Sequence, residues 1–400
     1  MRRPVVALFG LALAGPLAGQ EPARIAEAQA VLAPLIESYG VSGREGPVRA
    51  TVERLLPAWA RAGAETDTAG NLWVRAGKGD PVVVFVAHMD EIGFLVSGIR
   101  DDGSLDLTRR GGFFPSLFEA EPALVHTEGG PVPGVFTPRD SAPASPRRMP
   151  GPFRVDVGTT SRAATEALGV KVGQGVTMPK HYTRLAATRA SGRAMDDRVG
   201  CTALLLALRH LDPARLRHEV VFLFSVREEI GLEGAAAAAA ALGTRARRVH
   251  AIDTFVSADS PLEPQAFAVA PIGHGPVVRA VDQSSVTPPA LVDSVVGLAR
   301  ARGIPLQTGA TNGGNDGSVF GPWGVPDEPI GWPLRRRNVP PRSWKLLRSG
   351  LASCAAGKGP WRSVRIWRRA VGVKWTATTF AMVRPRRRSC LRVGSGSRRG

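Results

Sequence analysis

Seven side chains able to hold a metal ion or move a proton sit at the margins of apolar runs in this chain. His88 and Asp90 follow VVVFVA, Asp196 and Asp197 open RVGCTALLLAL, Glu228 and Glu229 follow VVFLFSV, and Asp253 follows VHAI. In open α/β sheets, ligands bind beyond the carboxyl ends of the strands. Four separate segments therefore deliver imidazole or carboxylate to one edge. Charge of this density is costly unless something neutralises it. A pair of divalent cations would do so; nitrogen and oxygen donors suit Zn2+, and Co2+ or Mn2+ are compatible. Two such ions would share a bridging carboxylate and clamp a water. Singly, each group has a plainer use: His88 as a satisfied loop histidine, Asp196 and Asp197 as a helix cap, Glu228 and Glu229 as a solvated turn. Their common register at strand ends favours a metal site.

The elements that must position these groups alternate between helix and strand. Apolar residues at helical spacing run over 24–40 and stop at Gly40. GVSGREGPVRATVERLLPAWA reads as a Gly/Ser turn leading into a second amphipathic helix. VVVFVA lacks polar alternation, as a central parallel strand covered on both faces should. Between about 93 and 188 the texture changes to short strands and Gly/Pro turns, typical of a small β-barrel or sandwich. After Ser191 the alternation returns: helix RVGCTALLLALRHL, strand EVVFLFSV, helix GAAAAAAAL, strand RVHAID, and a last helix over 288–303. The pattern predicts an α/β domain (24–92 and 189–335) interrupted by a β-rich insert (93–188).

AHMDEIGF, GRAMDDRVGC, SVREEIGLEGA and AIDTF, in this order, resemble the glutamyl/tetrahedral aminopeptidase family of two-zinc peptidases. The framework phrases GVSGREGPVR, DTAGNLWV, DVGTTSRAATEALGVKVG and PIGHGPV match the same family, and the resemblance runs from about residue 30 to Arg335. It implies an α/β/α sandwich with a mostly parallel sheet, and hydrolysis of N-terminal residues from peptides. One ion would take His88, Asp196 and Asp253; the other would take the Asp196 bridge, Glu229 and a C-terminal histidine. Glu228 would be the general base, and Asp90 would orient His88. Asp196–Asp197 resembles the family's cis peptide, and Asn315 and Asp316 its glycine-rich loop near the substrate pocket. The family often assembles into large oligomers. Two alternatives stay open: an inactive homologue that holds peptide termini, which the retained Glu228 disfavours, and a dipeptidase or deacylase of the same two-metal design.

The chain departs from the family after GWPLR. There a histidine and Ser-Pro are expected, but RRNVPPRSWKLL follows, and no histidine lies beyond His274. The second site therefore lacks a ligand in this sequence, which predicts weak metal binding there and little activity. Residues 336–400 carry 18 Lys and Arg and no acid, so Met1 to Arg335 keeps 34 of the 52 basic residues against 34 acidic ones. The formal charge of +18 thus belongs to the tail. Four of eight Trp and two of three Cys lie there too, without helical or strand period. We read the tail as the product of a frameshift near 336: Asn-Val-Pro-Pro-Arg-Ser-Trp can be encoded so that another frame reads Ser-Pro-Ala-Glu-Leu, although no histidine is restored before that serine. A basic arm for nucleic acid is the rival reading, which a neutral body does not motivate. Three cysteines make no disulfide framework. Arg2 and Arg3 before VVALFGLALAGPLAG predict an export signal over 1–19, hence a periplasmic or extracellular protein, with an uncleaved anchor as the alternative.

Overall fold

The computed structural model describes residues 17–113, 117–138, 152–186, 188–256 and 270–334. Most of the expected export signal and all of the basic tail lie outside the described residues. The chain begins with helices α1 (Leu17–Glu37), α2 (Gly46–Leu55) and the single turn α3 (Ala58–Arg61). Strands β1 (Glu65–Thr66), β2 (Leu72–Ala76) and β3 (Val82–His88) follow. Then come β4 (Gly93–Ile99), β5 (Leu105–Arg110), β6 (Pro122–Thr127), β7 (Gly130–Phe136), β8 (Phe153–Asp156), helix α4 (Arg162–Ala167) and β9 (Gly175–Thr177). A short pair, β10 (Thr183–Arg184) and β11 (Ala190–Ser191), leads to α5 (Met195–His210), β12 (Val220–Ser225), α6 (Glu233–Leu242) and β13 (Ala246–Val256). β14 (Val277–Val281), α7 (Pro289–Ala301), β15 (Gln307–Ala310), a 3-10 segment (Asp316–Trp323) and β16 (Ile330–Leu334) complete it.

Eight strands form one sheet in the order β1-β2-β12-β3-β13-β16-β14-β15. Its centre, β12-β3-β13-β16, is parallel, while β2 and β14 join it antiparallel, so the parallel arrangement expected from the sequence holds in the middle and becomes mixed outward. Side chains of the central strands alternate between two apolar clusters. Val82, Val84 and Val86 of β3 and Val221 and Leu223 of β12 face one cluster with Ala238, Ala239 and Leu242 of α6. Ala87 of β3 and Phe222 and Phe224 of β12 face the other, with Val31 and Leu35 of α1, Val48 and Val52 of α2, and Leu204, Leu205 and Leu208 of α5. Burial on both faces explains why these strands carry no polar alternation. The alanine run of α6 also has a packing reason: Ala235, Ala238 and Ala239 are buried at 0–1% exposure, and methyl side chains let the helix lie close to the sheet.

β4 to β9 close a separate barrel in the order β4-β5-β8-β7-β6-β9, within the stretch where the sequence texture changes. Its interior is a cluster around Phe94, whose ring centroid lies 5.0 Å from Phe118, 5.3 Å from Phe136 and 4.7 Å from Phe153. The barrel returns to the sheet through a buried ion pair, Lys180 Nζ to Glu91 Oε1 at 2.5 Å.

Candidate active site

Sheet register brings the predicted groups together. Ser225, the last residue of β12, pairs with His88, the last of β3, so the turn after β12 starts beside His88. Asp253 comes from β13 on the other side of β3. Asp196 comes from the start of α5, where Asp196 and Asp197 have non-helical torsions and are joined by a cis peptide. Asp197 turns inward: it is fully buried, and its Oδ1 accepts the backbone N–H of Gly200 at 3.0 Å. A Cβ at Gly200 would lie 2.1 Å from Asp197 Oδ2, so only glycine lets this side chain fold back.

His88, Asp196 and Asp253 each present a ligand atom within 4.8 Å of the other two. This is the one group of three or more such residues found among the described residues. His88 Nε2 lies 3.2 Å from Asp196 Oδ1 and 3.9 Å from Glu228 Oε2. Its Nδ1 donates to the Asp90 carbonyl at 3.2 Å and lies 3.5 Å from Asp90 Oδ1, which aims Nε2 at the acids. His88 and Asp253 are buried, whereas the Asp196 side chain is 49% exposed and leaves one side open. One imidazole and two carboxylates in this arrangement fit a divalent cation such as Zn2+. Glu229 stands outside that trio but close enough for Asp196 to act on it electrostatically. With Asp196 it is a candidate donor for a second ion, and the histidine that would complete such a site is absent from the sequence, where Arg336 follows Arg335.

The electrostatics report an excess of buried acid. Burial, then the Asp253, Asp316 and Asp196 carboxylates, push Glu228 well above the carboxylate range against the pull of His88. Burial and Asp196 do the same to Glu229. Burial raises Asp253, with Arg279 opposing. Burial disfavours charge on His88, but Glu228, Asp196 and Asp90 outweigh it and hold the ring well above its ordinary value. The His88 ring and the Arg279 guanidinium are the positive partners nearest these acids, a role that a bound cation would share.

Asp90 does more than orient His88. Its carboxylate accepts the backbone N–H of Glu228 (3.0 Å), the backbone N–H of Glu229 (3.2 Å) and the Ser42 hydroxyl (2.6 Å). Two arginines escaped the sequence reading. Arg279 of β14 is 2% exposed; its Nη1 lies 2.6 Å from Asp253 Oδ2 and its Nη2 donates to the Gly314 carbonyl at 3.1 Å. It sits in VVRAV, where a charged residue inside an apolar strand was the available signal. Arg198, fully buried, donates to the carbonyls of Leu35, Met89 and Asp90, tying α5 to the end of β3. Asn315 and Asp316 are buried: Asn315 donates to Asp282 Oδ2 at 2.8 Å, and Asp316 accepts the Ser225 hydroxyl at 2.5 Å. Burial pushes the Asp316 carboxyl up to about 7.

Known proteins resemble this chain in sequence and in fold. Residues 70–336 match the family described as M42 glutamyl aminopeptidase. The chain is 26% identical over 313 residues to a glutamyl aminopeptidase of Lactococcus lactis, covering 74% of this chain and 85% of that one. It is 34% identical over 217 residues to a lysyl aminopeptidase of Pyrococcus furiosus, covering 52% and 61%. Among solved structures, the TET1 peptidase of Pyrococcus horikoshii superposes with a TM-score of 0.69 at 31% identity, covering 78% of this chain and 91% of that one. An aminopeptidase from Desulfurococcus kamchatkensis gives 0.70 at 27% identity, covering 79% and 90%. A match over two thirds of the sequence, together with the same fold, makes the chain a member of the M42 glutamyl aminopeptidase family, and so a hydrolase of the metal-dependent aminopeptidase class.

Proposed function

We propose that the chain removes N-terminal residues from peptides at a centre for two divalent ions, most simply Zn2+, with Glu228 as general base. The observation that carries this is the meeting of His88, Asp196 and Asp253 within 4.8 Å, with Glu228 Oε2 3.9 Å from His88 Nε2. His88, Asp196 and Asp253 hold the first ion; Asp196 and Glu229 serve the second. When bound, the ions supply Lewis acidity to a carbonyl and acidify water. The chain's own groups do the rest. Asp90 fixes the His88 ring and the backbone of Glu228 and Glu229. Glu228, with Oε2 3.9 Å from His88 Nε2, is placed to take a proton from the attacking water and pass it to the leaving amine. Arg279 fixes Asp253 by a charge-assisted bond.

Metal stoichiometry and hydrolysis of aminoacyl chromogens test the reading together. We expect one ion to bind tightly at the His88 trio, weaker binding at the second site, and low turnover that Glu228→Gln abolishes. Failure of the chain to bind Zn2+ above micromolar concentrations would sink it. Two further parts of the proposal concern the whole protein. Self-assembly is supported by the TET1 peptidase of Pyrococcus horikoshii, which can assemble into a tetrahedron or a large octahedral shell. Export is supported by Arg2, Arg3 and the apolar run after them; a mature N-terminus other than Gln20 would remove that support. Among the described residues, no helix is long and apolar enough to cross a membrane.

A further inference from the structure

The turn that carries Glu228 has an unusual hydrogen-bond plan. Its four successive backbone N–H groups, at residues 226–229, are all received by side chains from other parts of the chain. Val226 donates to Asn71 Oδ1 at 3.1 Å, Arg227 to Glu45 Oε1 at 3.1 Å, Glu228 to Asp90 Oδ1 at 3.0 Å and Glu229 to Asp90 Oδ2 at 3.2 Å. The carbonyls of the same turn go to its own continuation: Val226 O accepts from Gly234, Arg227 O from Glu233, and Glu228 O from Gly231 and Leu232. Buried backbone groups must be paired somewhere, and here the donors are paired by a frame external to the turn.

Each member of the frame is itself held. Asn71 is fully buried, and its Nδ2 donates to Asp67 Oδ2 at 2.8 Å and to the Gly234 carbonyl at 2.9 Å. Asp67 also accepts from the backbone N–H groups of Gly70 and Asn71 and from the indole of Trp73, so the turn before β2 is locked around it. Glu45, 5% exposed, accepts the backbone N–H of Gly43 at 2.7 Å with the same oxygen that receives Arg227. A Cβ at Gly234 would lie 2.3 Å from Asn71 Oδ1, so the start of α6 makes room for the amide. The Arg227 side chain closes the assembly by donating to Ala69 O at 3.0 Å and Glu233 Oε2 at 2.7 Å. Arg227 itself has φ of 54°, a conformation that non-glycine residues adopt only where their surroundings enforce it.

We propose that Glu45 and Asn71 are positioning residues for Glu228: with Asp90 they fix the backbone of residues 226–229 and thereby the stance of the base. The proposal rests on the reading of Glu228 as the base, and it gives two framework phrases, GVSGREG and DTAGN, a mechanical purpose. Neither residue is among the groups that would hold metal. Displacing the turn therefore reaches Glu228, and Glu229 beside it, without touching the His88 trio.

The test uses the full chain with Glu45→Ala, Asn71→Ala and Glu45→Gln, the last keeping the Oε1 acceptor. Three readouts are needed: turnover of an aminoacyl chromogen, Zn2+ affinity of the His88 trio by chelator competition, and amide hydrogen exchange over 226–234. Both alanine variants should lose kcat by about 10- to 100-fold with KM changed less than about twofold, in line with losses seen when supporting residues are removed. Their Zn2+ affinity should stay within about twofold of wild type. Exchange over 226–229 should quicken by at least about tenfold, and Glu45→Gln should keep both kcat and exchange near wild type. Unchanged kcat and exchange in Glu45→Ala and Asn71→Ala would overturn the proposal. So would equal loss of Zn2+ binding, since the residues would then be general props of the fold. If the wild-type chain itself turns over no substrate, the reading of function fails instead, and the exchange arm alone decides whether the frame holds the turn.

Discussion

Around Phe94 in the barrel, neighbouring rings lie 4.7–5.3 Å away and the surrounding cluster is built of aliphatic and aromatic side chains. Around His88, one strand earlier, the neighbouring functional groups are Asp90, Asp196, Asp253 and Glu228. Both places are buried, but they are buried for opposite reasons. In the barrel, each ring removes apolar surface from water, and any one of them can be judged by the volume it fills. At the strand ends, burial works against the charges, which is why Glu228 and Glu229 are driven toward their protonated forms. The barrel adds stability wherever it is intact, whereas the buried acids of the site subtract from it, a cost that a bound cation would relieve. A substitution should therefore move stability in one region and chemistry in the other.

The largest separation should come from Glu228→Gln. Removing a positioned general base costs about 10²- to 10⁴-fold in turnover, so kcat should fall by that factor. Thermal stability of the metal-free protein should hold or rise, because a buried carboxylate has become neutral. Steady-state kinetics and a melting curve read both, and an unchanged kcat would remove Glu228 from the chemistry.

Phe94→Ala is the mirror of that change. Truncating a buried phenylalanine costs about 3–5 kcal/mol, and denaturant unfolding should show a loss of that size. Zn2+ affinity at the His88 trio should be unaltered in the fraction that remains folded. A parallel fall in affinity would mean that the barrel and the sheet edge are not energetically separable.

Metal itself sharpens the contrast. Zn2+ at 100 times its dissociation constant should stabilise the protein by about 2.7 kcal/mol, seen as a rise in melting temperature. Asp253→Asn should lose that rise without lowering the melting temperature of the metal-free protein. If the metal-free variant melts well below wild type, Asp253 is chiefly a partner of Arg279, and the excess of buried acid has been misjudged.

How much of this was legible in the sequence follows from the same division. His88, Asp196, Glu228 and Asp253 stood out because polar groups at the ends of apolar runs break a pattern. The central strands were legible because burial on both faces leaves continuous apolar stretches such as VVVFVA. β14, β15 and β16 were not, since QTGA and IGWPL are short, carry glycine or proline, and become strands only through their neighbours in the sheet. Closure of the barrel depends on pairings such as β4 with β9, across some eighty residues of chain, which no local pattern encodes. Asn71 and Glu45 stood in framework phrases with no role assigned, because their partners, the N–H groups of 226 and 227, lie more than 150 residues away. The antiparallel edges were missed for the same reason.

The smallest effect concerns a buried acid away from the metal trio. Asp327 is 8% exposed beside the 3-10 segment, and a Cβ on Gly317 would lie 2.0 Å from its Oδ1. Burial, then the Asp282 carboxylate, push it up to about 7, with Asn315, Ser285 and Arg279 opposing. An acid whose pKa is raised on folding leaves the folded chain holding more protons than the unfolded one between about pH 4 and 7. Stability from this group is therefore complete below pH 4 and lost as the pH climbs to 7. Asp327→Asn removes that loss. The gross gain is about 4 kcal/mol for three pKa units, but asparagine leaves an amide in the same enclosed spot at a cost of about 1–3 kcal/mol. A net gain of about 1–3 kcal/mol should then appear in denaturant unfolding at pH 8 and turn into a loss of about 1–3 kcal/mol at pH 4, where only the amide cost remains. An advantage of equal size at both pH values would mean that the acid is crowded rather than electrostatically strained. Buried charge would then be a cost confined to the strand ends that hold His88 and Asp253.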